Sequence, residues 1–196
     1  MRNIKGILAL ALLAGMALLS GCNDYQPKPR GYFRIDLPEK SYTTFKNNKY
    51  PFTFELPDST LCRVVEKGER ADDKYGFNIV YPYLRCVIYC DYKPVENNFR
   101  EISEDFRTFV YKHAIKADAI TEQPYENAEH KVYGVMYEIK GDAASQIQFV
   151  LTDSSKHYFR GALYPNVSPN ADSLAPVTEY IKADIMRMVE TFNWKK

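Results

Sequence analysis

Cys86 and Cys90 stand four residues apart in Arg85-Cys86-Val87-Ile88-Tyr89-Cys90-Asp91-Tyr92, a run rich in β-branched and aromatic residues that predicts a strand. Two thiols this close in sequence could form a disulfide, hold a metal or supply a nucleophile. In a strand both point to one face but lie about 13 Å apart, and bridged Cα atoms lie within about 7 Å, so they cannot bond to each other. A metal would need further ligands, and His113, His130 and His157 show no ligand spacing with the cysteines. His113 falls on the apolar stripe of a predicted helix, where a packed imidazole is the default and a catalytic one the exception. The acids at Asp72-Asp73 and from Glu101 to Asp105 read as solvated faces rather than a paired-carboxylate catalyst. A Walker loop, a GxGxxG turn, a GxSxG elbow, an HExxH helix and a CxxC pair are all missing. The expectation is therefore a non-enzymatic chain without metal or cofactor. An enzyme whose site is assembled from scattered residues is the alternative.

Cys22 has a different setting. Arg2 and Lys5 precede an uncharged apolar run from Ile7 to Leu19, which ends in Leu19-Ser20-Gly21-Cys22. The layout is that of a secretory signal, and the run falls short of the ~20 residues a membrane-crossing helix needs. The small residues before Cys22 resemble the bacterial lipobox, in which the thiol receives a diacylglyceryl group and the cysteine becomes the first mature residue. Residues 1–21 are then a removable signal and residues 22–30 a lipidated tether. Each buried methylene of such an anchor contributes about 0.8 kcal/mol, and more than one chain is needed for stable attachment. Pro27 and Pro29 favour an extended tether, so the domain would sit close over its membrane. Export to an oxidising compartment allows a bridge from Cys62 to Cys86 or Cys90. Three cysteines is an odd number, and three small buried thiols are the simpler expectation.

The whole chain has 26 lysines and arginines against 25 acids. Removing the signal takes away Arg2 and Lys5 but no acid, so the mature chain is nearly neutral. Nucleic acid and strongly anionic lipid surfaces call for clustered positive charge and are excluded as bulk partners. About 175 mature residues suit one domain, over 31–196, and the 16 tyrosines and 11 phenylalanines supply much of its core. Residues from Gly31 to Phe45 read as an extended arm packed on the domain. Phe52, Phe54 and Leu56 alternate with Thr53 and Glu55 as a first strand. Short strands are predicted at Leu61 to Glu66, Phe77 to Tyr81 and Arg85 to Tyr92. Asn97 or Asn98 then caps a helix whose stripe is Phe99, Ile102, Phe106, Phe109, Val110 and His113. Alternation around Tyr133 to Ile139 and Ile147 to Leu151, then Tyr158 to Tyr164, predicts antiparallel neighbours joined by short turns. A last helix starts near Asp172 or Ser173, with Pro176 in its first turn. The fold class expected is α+β: a single antiparallel or mixed β-sheet with helices packed on it. In pattern alone this resembles PsbP-like and Mog1-like α/β/α sandwiches.

Two segments combine cations, aromatics and amides in a way that suits recognition. Lys28-Pro29-Arg30-Gly31-Tyr32-Phe33-Arg34 lies beside the tether, and Arg160-Gly161-Ala162-Leu163-Tyr164-Pro165-Asn166-Val167-Ser168-Pro169-Asn170 follows a strand. Structural roles compete: the first as an arm stapled to the sheet, the second as a connector that caps the last helix. The candidate partner contacts are Lys28, Arg30, Tyr32, Arg34, Arg160, Tyr164, Asn166 and Asn170.

At these residues the chain resembles the gliding-motility lipoproteins of the GldD type from Bacteroidota. The likeness runs through the lipobox, Pro27 to Pro38, Arg160 to Tyr164, Asn170 to Pro176 and Glu190-Thr191-Phe192-Asn193-Trp194. The resemblance implies a non-enzymatic envelope component linked to the gliding and type IX secretion machinery, acting as an assembly or scaffold factor through protein–protein contacts. A periplasmic small-ligand binder or an enzyme without motifs is the competing class. An outer-membrane anchor facing the periplasm is expected, with the inner membrane as the other option, since Asn23 is not the aspartate of the inner-membrane retention signal. In that bacterial group, Asp58-Ser59-Thr60 and Asp172-Ser173-Leu174 also resemble O-glycosylation acceptors, making Ser59 and Ser173 candidate sites. Ser173 competes for that role as a helix cap.

Overall fold

A computed structural model describes residues 36–67, 75–112, 117–167 and 171–195. It contains two helices and two β-sheets whose pairings are all antiparallel among the described residues. The α+β class holds, with a second sheet where one was expected.

The smaller sheet places β2 (Phe52–Pro57) between β1 (Tyr42–Lys46) and β10 (Asn193–Trp194). Phe52, Phe54 and Leu56 are buried, as their alternation predicts. β1 lies within the stretch read as an arm. Its residues are mostly exposed, so no in-and-out alternation marks it as a strand. At two residues, β10 is too short to carry a pattern.

The larger sheet joins two meanders. β3 (Arg63–Glu66), β4 (Gly76–Tyr81) and β5 (Cys86–Pro94) form the first. β6 (Ala117–Asn127), β7 (Val132–Gly141), β8 (Ile147–Thr152) and β9 (His157–Pro165) form the second. Helix α1 (Phe99–Lys112) connects them, and the chain returns so that β9 lies beside β5, giving the order β3-β4-β5-β9-β8-β7-β6. The seam between the meanders pairs β5 and β9 over nine positions, from Cys86↔Pro165 to Pro94↔His157. β6 was not expected from the sequence. It is an edge strand, largely exposed, and it carries Pro124, whose missing N–H is tolerated at an edge.

The two faces of this sheet carry separate cores. Phe106 and Val110 of α1 pack on Tyr137, Val150 and Tyr158. On the other face, Phe77, Ile88, Phe149 and Phe159 meet the small sheet and helix α2 (Ala171–Glu190), which contributes Val177, Ile181, Ile185 and Met188. Phe52 is wholly buried there, its ring 4.9 Å from Phe159 and 5.2 Å from Phe192. Gly161 is required at this packing, because a Cβ would fall 2.2 Å from Cζ of Phe149, its cross-strand partner. Asn98 opens α1 by accepting from Ile102 N–H, while its side chain accepts from Glu96 N–H. α2 begins at Ala171, ahead of the predicted start, so Pro176 lies inside the helix.

One buried carboxylate fastens these layers. Asp184 on α2 is 1% exposed. Its Oδ1 lies 2.7 Å from Lys40 Nζ and accepts from the Tyr42 hydroxyl at 2.8 Å, and its Oδ2 accepts from the Tyr81 hydroxyl at 3.2 Å. Lys40 also stands 3.7 Å from the centroid of Tyr180, and the Tyr180 hydroxyl donates to the Pro38 carbonyl at 2.7 Å. Burial, then the neighbouring carboxylate, pushes both the Tyr42 and Tyr81 hydroxyls well above the ordinary tyrosine range. Removing one partner of a buried pair costs about 3–5 kcal/mol. Asp184→Asn should therefore lower the unfolding free energy measured by urea denaturation by an amount in that range, and adding Lys40→Met should recover part of it. Unchanged stability of the single variant would show that the pair does not hold the layers.

Candidate binding groove

The β5–β9 seam brings together residues that lie about 70 positions apart in the chain. Asp91 faces Arg160 across it, and Tyr89 faces Ala162. Strand alternation sends Tyr89, Asp91, Arg160, Ala162 and Tyr164 to the face that α1 covers. The helix does not cover them fully. Between its Phe106 and Phe109 and these strand residues runs a groove of about 410 Å³, with the backbone at Gly161 and the small side chain of Ala162 at its base and Lys67 also lining it.

The groove has aromatic walls and one charged pair. Tyr89 and Tyr164 meet edge to face with centroids 5.4 Å apart. Tyr89 is 40% and Phe109 39% exposed, so Phe109 leaves the core stripe assigned to it and borders the groove instead. Arg160 directs Nε and Nη2 to Asp91 Oδ2 at 3.2 and 3.0 Å. The Lys67 ammonium lies 5.8 Å from the Tyr89 ring centroid. Burial raises the Tyr164 hydroxyl, helped by Tyr89 and opposed by a hydrogen bond with Ser145. On β8, Gln148 faces Ala162 across the strand pair and is fully buried, with neither end of its amide hydrogen-bonded among the described residues.

Two of the sequence-predicted contact residues, Arg160 and Tyr164, line this groove. Asn166 does not. It is exposed beyond the end of β9, where its N–H donates to the Arg85 carbonyl at 2.7 Å. Cys22, Lys28, Arg30, Tyr32, Arg34, Asn170 and His113 lie outside the described residues, as do the signal and the tether. Of the stretch from Gly31 to Phe45, the described residues Pro38 and Lys40 contact α2, while the segment from Lys28 to Arg34 lies outside the described residues. Ser59 is exposed in a turn held by Asp58, which accepts from Thr60 N–H and from the Ser41 hydroxyl. Ser173 is exposed in the first turn of α2. Tyr89, Asp91 and Phe109 escaped the sequence reading because only the crossover through α1 sets them beside β9.

The thiols take no part in this surface chemistry. Cys62, Cys86 and Cys90 are all free and buried. Burial pushes Cys62 up to about 12 and Cys86 up to about 11, and raises Cys90 further. They stay protonated, hence poor nucleophiles. No group of three His, Cys, Asp or Glu side chains able to hold a metal occurs among the described residues. None of the described helices is long and apolar enough to cross a membrane.

A family model described as gliding motility lipoprotein GldD matches residues 22–194. The chain belongs to this family. Membership associates it with the cell envelope as a lipoprotein of the gliding-motility kind, and the matched region opens at Cys22, the residue of the lipobox-like sequence. No curated protein matches the chain significantly. The GldD match covers both meanders, both helices and every described groove residue.

At the end of the seam away from Tyr164, His157 stacks on Trp194 with centroids 4.9 Å apart, and its Nδ1 lies 2.8 Å from the Tyr92 hydroxyl. Burial lowers the imidazole pKa, Asp153 partly offsets this, and Lys156 adds to it. The folded chain thus binds this proton more weakly than the unfolded chain, which titrates near ~6.5. The associated stability is complete above that pH and is lost as pH falls through the folded value. Titration of the His157 ring by NMR should show a midpoint below ~6.5. Urea unfolding should show stability falling on acidification from neutral pH, with a shallower slope in His157→Gln.

Proposed function

We propose that this GldD-family chain is a membrane-anchored, non-enzymatic lipoprotein that serves the gliding and type IX secretion machinery as an assembly or scaffold factor. In this reading Cys22 carries the acyl chains, the anchor lies in the outer membrane, and the domain faces the periplasm. The observation that carries the reading is the open aromatic groove over the β5–β9 seam. Exposed Tyr89 and Phe109 beside the Arg160–Asp91 pair have the composition that protein interfaces favour. The buried, protonated thiols offer no reactive nucleophile there.

Affinity purification of the tagged protein from gently solubilised envelope, with Cys22→Ala as control, tests the assembly role. Gliding or type IX secretion components should accompany the wild type and be depleted from the control. A partnerless wild-type preparation would sink the role. The same material serves for intact-mass measurement. A mature chain starting at Cys22 with added acyl mass is expected, and an unmodified cysteine would overturn the anchor. Glycan mass mapping to Ser59 or Ser173 would support those acceptors, and a mass with no glycan would remove both.

The groove volume supports a second reading, a small-ligand binder, since about 410 Å³ falls within the range such sites occupy. A discrete small molecule retained in native mass spectra of the purified lipoprotein, and lost on Ala162→Phe, would favour it.

A further inference from the structure

We infer that the end of the large sheet at which the chain enters the domain rests on the phospholipid surface, with Tyr83 and Val167 in the headgroup layer. This rests on the acylated Cys22 of the reading above and adds which part of the domain meets the bilayer.

The topology defines that end. Tyr42 opens β1 and Tyr81 closes β4, and both hydroxyls meet on Asp184. Register carries the same end across the sheet. Tyr81 pairs with Cys86 at the start of β5, Cys86 with Pro165 at the end of β9, and Leu163 with Ile147 at the start of β8. Pro38 and Lys40, held on α2 at Tyr180 and Asp184, therefore bring the chain in at the end that carries the β4–β5 turn and the segment after β9.

Length then favours this end over the other. The chain from Cys22 to Asp36 spans at most about 46 Å when fully extended. To present the opposite end to the bilayer it would have to run back beside strands of nine to eleven residues, which are about 30–36 Å long, and little of its reach would remain.

The exposed side chains are placed unevenly between the two ends. A single exposed apolar residue needs no account. At the entry end, however, Tyr83 in the β4–β5 turn is 68% exposed, and Val167 after β9 and Leu37 in the entering chain are each 37% exposed. At the opposite end, Asn47 to Lys49, Glu96 to Asn98, Ala128 to Lys131 and Asp153 to Lys156 expose no large apolar side chain. The other exposed large apolar side chains among the described residues lie within strands or α1.

The two tips are fixed side by side. Arg85, in left-handed backbone at φ 52°, donates its N–H to the Pro82 carbonyl at 3.3 Å, and its own carbonyl accepts from the Asn166 N–H at 2.7 Å. Tyrosine suits the headgroup layer, where an apolar ring is buried while its hydroxyl stays wet. Charges of both signs stand at this end, Arg63, Arg85 and Lys140 with Glu39, Asp58 and Glu179. The contact is therefore made by the apolar tips rather than by net charge. It is weak for a free domain and becomes effective because the tether holds the domain at a high local concentration over the lipid.

The test uses the acylated full-length protein in phosphatidylethanolamine–phosphatidylcholine vesicles that contain a headgroup-nitroxide lipid. A thiol-reactive fluorophore is placed at Asn166→Cys, beside Val167, or at His130→Cys, in an exposed turn at the opposite end. Wild type should take up no label, because Cys22 is acylated and Cys62, Cys86 and Cys90 are buried and protonated. The nitroxide should quench the probe at position 166 several-fold more than the probe at 130. Adding Tyr83→Ser and Val167→Ser should abolish most of that difference. Both side chains are exposed and belong to neither core, so the fold survives their loss. Equal quenching at the two positions, stronger quenching at 130, or a difference unmoved by the double substitution would overturn the inference and leave the acylated anchor standing. Label on Cys22 of the wild type would show an unacylated thiol and remove the anchor and the inference together.

Discussion

The Asp184 carboxylate is where the layers of this domain are held to one another. A charge at 1% exposure is costly to bury alone. It is tolerated because a lysine from the segment before β1, a tyrosine from the small sheet and a tyrosine from the large sheet converge on its two oxygens. Tyr81 is buried and Lys40 half-buried at this site, while Tyr42 reaches it from the exposed strand β1. The arrangement therefore ties the position of α2 to that of residues 38–42. Two further ion pairs extend the fastening, Arg187 to Glu55 on β2 at 2.6 Å and Lys182 to Glu138 on β7 at 2.6 Å. Both are more exposed and add less.

With α2 held, the small sheet closes over the aromatic cluster, and the opposite face of the large sheet is left to α1 alone. A helix of 14 residues cannot cover a face seven strands wide. It covers β7, β8 and part of β9 through Phe106 and Val110, and the remaining width becomes the groove. The opening is thus a consequence of topology: the crossover that brings β9 beside β5 also carries α1 across the sheet. The same seam pairs Asp91 with Arg160, so the groove acquires its charge from cross-strand register.

Pro38 and Lys40 are fastened to α2 on one face of the large sheet, and the candidate groove lies on the other. The thiols, placed in the core with raised pKa values, leave the surface chemistry to aromatics and one arginine.

Alternation made β2, β4, β5, β7 and β9 legible, and helical spacing made α1 and α2 legible, because the period of burial is written in the apolar positions; β8 is buried on both faces but still alternates Ile147, Phe149 and Leu151 with other residues. The family was legible in the lipobox-like run and the terminal motifs. The residues of the arm, of β6 and of β10 carry no such period, since β1 and β6 are mostly exposed and β10 is two residues long. Arg160 and Tyr164 stood out as recognition types, yet Tyr89, Asp91 and Phe109 did not, and Asp184 looked like one more helix acid. Periodicity determined which residues face inward, and the motifs determined which family the chain belongs to. Only the tertiary structure decided which inward faces meet and where coverage fails, because register across the β5–β9 seam and the reach of α1 depend on contacts between residues about 70 positions apart in the chain.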